Sequence, residues 1–77
     1  MTDKRWMHIF ACNLLWAMET EGVSQRELSR KTGISENAIS NYVNENRKAE
    51  ITNVIKIADA LHYDIRDLIY WYFVRRC

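Results

Sequence analysis

The sequence predicts an all-α fold, a compact five-helix bundle, and three observations carry that expectation. The 77 residues contain no proline and only two glycines, Gly22 and Gly33, so turns are few and short. No Asn-Gly or Asp-Gly pair, the strongest short hairpin signal, occurs anywhere. Apolar residues recur instead at three- and four-residue spacing along most of the chain. With 48% hydrophobic and 27% charged residues, the composition is that of a folded soluble chain, and this length supports one core and one domain over residues 1–77.

The first helix is expected from about Lys4 to Glu21, with Phe10, Leu14 and Ala17 on its inner face and Trp6 and Met18 extending the stripe. Gly22 ends it where a glycine commonly follows a helix. Ser24 can cap the next helix, and Glu27 three residues on completes a capping box. That helix stops at Lys31, before Thr32 and Gly33. Ser35 is the next cap, and Ile39, Tyr42 and Val43 set the buried face of a third helix. The polar run from Asn44 to Lys48 ends it. Val54, Ile55, Ile57, Ala58 and Leu61 mark a fourth helix beginning near Ile51, and Asp64 caps a fifth with Ile65, Leu68 and Ile69.

The unit Ser24 to Lys31, then Ser35 to Asn44, meets the physical demands of two helices joined by a tight turn. Ser29 is small enough for close crossing, Gly33 tolerates a positive φ, and Ile34 and Ile39 can lock the second helix inward. Residues 37, 40, 41 and 44 share one face of that second helix, and all are Asn or Ser. Such side chains both donate and accept hydrogen bonds, and asparagine can pair bidentately with adenine.

The stretch from Ser24 to Tyr42, SQRELSRKTGISENAISNY, resembles the helix-turn-helix of the Cro and phage-repressor (XRE-type) family of bacterial and phage regulators. The run from Ile51 to Leu68 is similar to that family's fourth helix and the start of its fifth, so the resemblance spans about Phe10 to Ile69. It implies a recognition helix in the major groove of double-stranded DNA. Base-edge contacts are expected from Gln25, Ser35, Glu36, Asn37, Ser40 and Asn41. Phosphate contacts are expected from Ser24, Arg26, Arg30, Lys31, Asn44, Asn46, Arg47 and Lys48, with Lys4 and Arg5 as extras. Two features depart from the family pattern. Met18 and Val43 stand where many relatives pair an arginine with a glutamate, and Ala49-Glu50 replaces the usual proline before helix four.

Net charge is +1, so bulk electrostatics neither demand nor exclude nucleic acid. Cys12 and Cys77 are too few and too widely spaced to read as a disulfide framework, which points to a reducing cytoplasm. His8 and Asn13 interrupt the first apolar stretch, and no segment has the ~20 apolar residues of a membrane span. His8 and Cys12 lie four apart but lack a second ligand pair, and His62 reads as a partner for the C-terminal end of helix four. No nucleophile-base pair and no glycine-rich phosphate loop is present, so neither an enzyme nor a cofactor is expected.

The segment from Ile69 to Val74 is unusually aromatic, and it is compatible with the end of helix five, a strand, or a mixture. It either fills a small core or forms a homodimer interface. The second reading is adopted, with Tyr70, Trp71, Phe73 and Val74 as interface residues. The functional expectation is a homodimeric, sequence-specific repressor of phage or mobile-element type on a pseudo-palindromic operator. The alternatives are an antitoxin- or inhibitor-like module that binds a protein partner, and a restriction-modification controller.

Overall fold

The computed structural model describes residues 3–69. Five helices follow in order: α1 (Asp3–Glu21), α2 (Gln25–Thr32), α3 (Glu36–Val43), α4 (Ile51–Leu61) and α5 (Ile65–Ile69). No strand occurs among the described residues. Tyr70, Trp71, Phe73, Val74 and Cys77 lie outside them, and so does any pairing of the two cysteines.

The helix boundaries follow from local chemistry. Ser24 and Ser35 sit just before their helices in extended backbone, as caps must. Gly22 and Gly33 adopt positive φ of 68° and 77°, which reverses the chain after α1 and α2 at little steric cost. At the end of α4 the same left-handed conformation falls on His62, with φ 64° and its backbone N–H bonded to the carbonyls of Ala58 and Asp59. His62 thus closes the helix through its backbone, a role that the expected charge–dipole pairing did not include. Glu50 caps α4 in position only, with no side-chain hydrogen bond to the helix. Asp64 bonds the Arg66 N–H at 2.9 Å and the Arg66 guanidinium at 3.2 Å; those two hydrogen bonds hold its carboxyl below the usual carboxylate range.

One core joins all five helices. Leu14, Leu28, Ile39, Val54, Ile57, Leu61 and Leu68 are wholly buried within it, alongside Phe10, Ile34 and Tyr42. Each large aliphatic side chain so buried contributes roughly 1.5–3 kcal/mol relative to exposure. Met18 and Val43 are both in this cluster, so the apolar replacement of the family's ion pair leaves no charge buried there. Trp6 stacks on Phe10 with ring centroids 5.5 Å apart, and Phe10 meets the edge of Tyr42 at 6.1 Å.

Helix α1 is buried over a much wider arc than its expected stripe. Every residue from Ile9 to Leu14 is buried, Ala11, Cys12 and Asn13 included. Asn13, fully enclosed, donates from Nδ2 to the carbonyl of Leu68 at 3.0 Å and so ties α1 to the last turn of α5. One turn further along α1, Trp16 packs against Tyr63, whose hydroxyl donates to Glu21 at 3.0 Å. Partial burial, then the Glu21 carboxylate, raises the Tyr63 phenol above its ordinary value.

Candidate nucleic-acid interface

The candidate surface is built on α2, the turn, α3 and the loop after it. The start of α2 is fixed by a complete capping box. Ser24 Oγ accepts the Glu27 N–H at 3.1 Å, and the Glu27 carboxylate accepts the Ser24 N–H at 3.3 Å. The turn is held from both sides. Ser29 Oγ donates to the Ile34 carbonyl at 2.6 Å, and Thr32 Oγ1 donates to the Leu28 carbonyl and accepts the Ile34 N–H. Ser29 therefore supplies a hydrogen bond as well as the small volume that close crossing needs. Ile34 and Ile39 are both buried, as the turn requires.

On α3 the first turn presents Glu36 and Asn37 to solvent, while Ser40 and Asn41 are half-buried and Asn44 is exposed. Ser35 Oγ accepts the Ala38 N–H at 3.1 Å, which leaves its O–H able to donate outward. Asn44 Nδ2 donates to Ser40 Oγ at 3.3 Å, one turn away along the same face. The inner face, Ala38, Ile39, Tyr42 and Val43, is buried in the core. This division fixes the rotation of α3: Asn37, Ser40, Asn41 and Asn44 are gathered on one edge of a helix anchored from behind.

The expected phosphate contacts are distributed around this edge. Arg26, Arg30 and Lys31 are exposed on α2, Ser24 is exposed at its cap, and Gln25 is half-buried at its first position. Asn46, Arg47 and Lys48 are exposed in the loop after α3. Lys4 and Arg5 are exposed at the start of α1.

Two supports of the surface have no clear signal in the sequence. The first is a strut: Asn53 Nδ2 on α4 donates to Tyr42 Oη at 2.9 Å, joining α4 to the back of α3. The second is Glu45, which takes a positive φ of 61° where a helix end ordinarily favours glycine. Its carboxylate lies 2.9 Å from His8 Nδ1, so the α3–α4 loop is tied to α1. Among the described residues no cluster of three or more His, Cys, Asp or Glu side chains is arranged to hold a metal.

A family model for the helix-turn-helix matches residues 14–68, well over half of the sequence and all of α2 to α4. This chain belongs to the helix-turn-helix family. Its fold is similar to the crystal structure of a hypothetical transcription factor, NHTF, from Neisseria. The TM-score is 0.82 at 23% identity, over 91% of this chain and 80% of that one. No curated protein matches the sequence. Family membership sets this helix-turn-helix protein among DNA-binding regulators rather than enzymes. No helix among the described residues is long and apolar enough to cross a membrane.

Proposed function

We propose that this helix-turn-helix protein is a sequence-specific binder of double-stranded DNA that acts in the cytoplasm as a homodimeric repressor of phage or mobile-element type. The observation that carries the reading is the edge of α3. Three asparagines and a serine line one face of a helix whose other face is locked into the core. In a major groove, Asn37, Asn41 and Ser40 read base edges, joined by Gln25, Ser35 and Glu36. Ser24, Arg26, Arg30, Lys31, Asn44, Asn46, Arg47 and Lys48 hold the phosphates and set the register. One recognition helix covers only a few base pairs, so a two-fold dimer on a pseudo-palindromic operator supplies the rest of the specificity. Repression follows when that operator overlaps a promoter.

Selection of bound duplexes from a random pool, at two salt concentrations, tests the reading. The expected result is a two-fold-related motif with half-sites about 34 Å apart along the duplex. Asn41→Ala is expected to relax base preference at one position of each half-site, at a cost of about 1–3 kcal/mol. Recovery of no motif, with only weak salt-sensitive binding, would reject the reading in favour of a protein-binding antitoxin or inhibitor.

A further inference from the structure

The loop after α3 carries a carboxylate among residues otherwise suited to phosphate. Glu45 lies between Asn44 and the run Asn46, Arg47 and Lys48, and all five are exposed. The Glu45 N–H bonds the Tyr42 carbonyl at 3.2 Å and the Asn46 N–H bonds the Asn41 carbonyl at 2.8 Å, so the loop folds back on α3. Its left-handed φ of 61° costs a residue that has a side chain. From that turn the carboxylate reaches α1, where Oε2 lies 2.9 Å from His8 Nδ1. The two side chains remain 41% and 38% exposed, so the imidazole is open to protons from water.

The surroundings of His8 hold few charges. On α1, Cys12 Sγ lies 3.7 Å from Nε2, and Lys4 and Arg5 are the cations within one turn. α3 packs on α1 through apolar Val43 and through Tyr42, whose hydroxyl is engaged by Asn53. α4 contributes its apolar face, Val54, Ile57, Ala58 and Leu61, to the shared core. α5 meets α1 at Asn13, more than a turn beyond His8, and its Arg66 and Asp67 are engaged with Asp64. Glu45 is the carboxylate that meets the ring.

We propose that His8 is a positioning residue for DNA binding, whose protonation acts through Glu45 on the phosphate-holding loop; this rests on the DNA-binding reading above. With His8 neutral, the Glu45 carboxylate opposes the phosphates that Arg47 and Lys48 hold. A proton on the imidazole cancels that charge and strengthens the contact that keeps Glu45 in its left-handed turn. A phosphate backbone along the loop favours the charged imidazole in return, so binding draws a proton from solvent. Histidine side chains change charge between about pH 5 and 8, and affinity therefore falls as pH rises through that window.

The test is the affinity of the full chain for a random-sequence duplex at low salt, by fluorescence anisotropy from about pH 5.5 to about 7.5. The wild type is expected to bind roughly three- to tenfold more tightly at the acid end. Calorimetry in two buffers of different ionisation enthalpy is expected to show proton uptake on binding. His8→Gln is expected to be weak and flat across the range, and His8→Lys, with a permanent charge, tight and flat. Glu45→Gln is expected to bind at the alkaline end at least as tightly as the wild type binds in acid. His62→Gln is the control that keeps the wild-type profile. A wild type without pH dependence or proton uptake, or a profile that survives in His8→Gln, overturns the proposal and leaves DNA binding standing. So does a His8→Lys variant that binds no more tightly than His8→Gln, because the charge then has no part. Absence of binding at every pH overturns the DNA-binding reading and this proposal with it.

Discussion

Gly33 sits between α2 and α3 at φ 77°, and a Cβ built there meets no atom within 4 Å. Gly33→Ala therefore isolates the backbone cost of a left-handed residue, about 1–2 kcal/mol. Urea unfolding is expected to show a loss of that size with an unchanged m-value. No loss would mean that the turn relaxes out of the left-handed region. Gly33 was readable in the sequence because glycine is the residue such a turn demands. Glu45 and His62 adopt the same conformation without being glycine, and no composition rule finds them. Asn13 was equally hidden: in the sequence it only interrupts an apolar run, and its partner Leu68 lies 55 positions away. Asn13→Ala leaves the buried Leu68 carbonyl without this donor, at a cost of about 1–3 kcal/mol. Hydrogen exchange is expected to quicken first in α5, which this bond fastens to α1. Uniform quickening across all helices would show that Asn13 supports the core as a whole and not α5 in particular.

Helix starts were the most readable elements, since Ser24 and Ser35 announce themselves by a cap followed by an apolar period. Helix orientation was readable where one face is clearly apolar, as on α3. On α1 the expected stripe of Phe10, Leu14, Ala17 and Met18 does face the core, but no pattern announced that burial widens to every residue from 9 to 14. Side-chain hydrogen bonds between helices were not readable, and the Tyr42–Asn53 bond is the one with the most bearing on the candidate site. It fixes the back of α3 to α4, so its loss acts on the recognition edge without touching it. A double-mutant cycle of Tyr42→Phe and Asn53→Ala is expected to give a coupling of about 1 kcal/mol in unfolding free energy. The variants are also expected to bind every DNA sequence more weakly while keeping the same base preference. Zero coupling would assign α3 placement to apolar packing alone.

At the scale of the whole molecule the fold class was legible because every local signal agreed. Few turn formers, two caps, a glycine turn and helical periodicity all favour the same bundle. Net charge argues differently: at +1 it provides almost no general attraction to DNA. Binding must then come from cations held close to the backbone, and this has a measurable consequence. Each phosphate contact contributes about 0.9 to the slope of log affinity against log salt. Arg47→Ala and Lys48→Ala are each expected to lower that slope by about this amount and to weaken operator and random duplex equally. Asn41→Ala is expected to weaken only the operator and to leave the slope unchanged. Arg66→Ala, whose guanidinium is engaged with Asp64 beyond the α4–α5 corner, is expected to change neither. If Arg66 alters the slope as much as Arg47 does, the phosphate track passes the α4–α5 corner and the placement of α3 in the groove is wrong. If Asn41 alters the slope, it holds backbone and not bases, and the reading edge of α3 shifts toward Glu36 and Asn37.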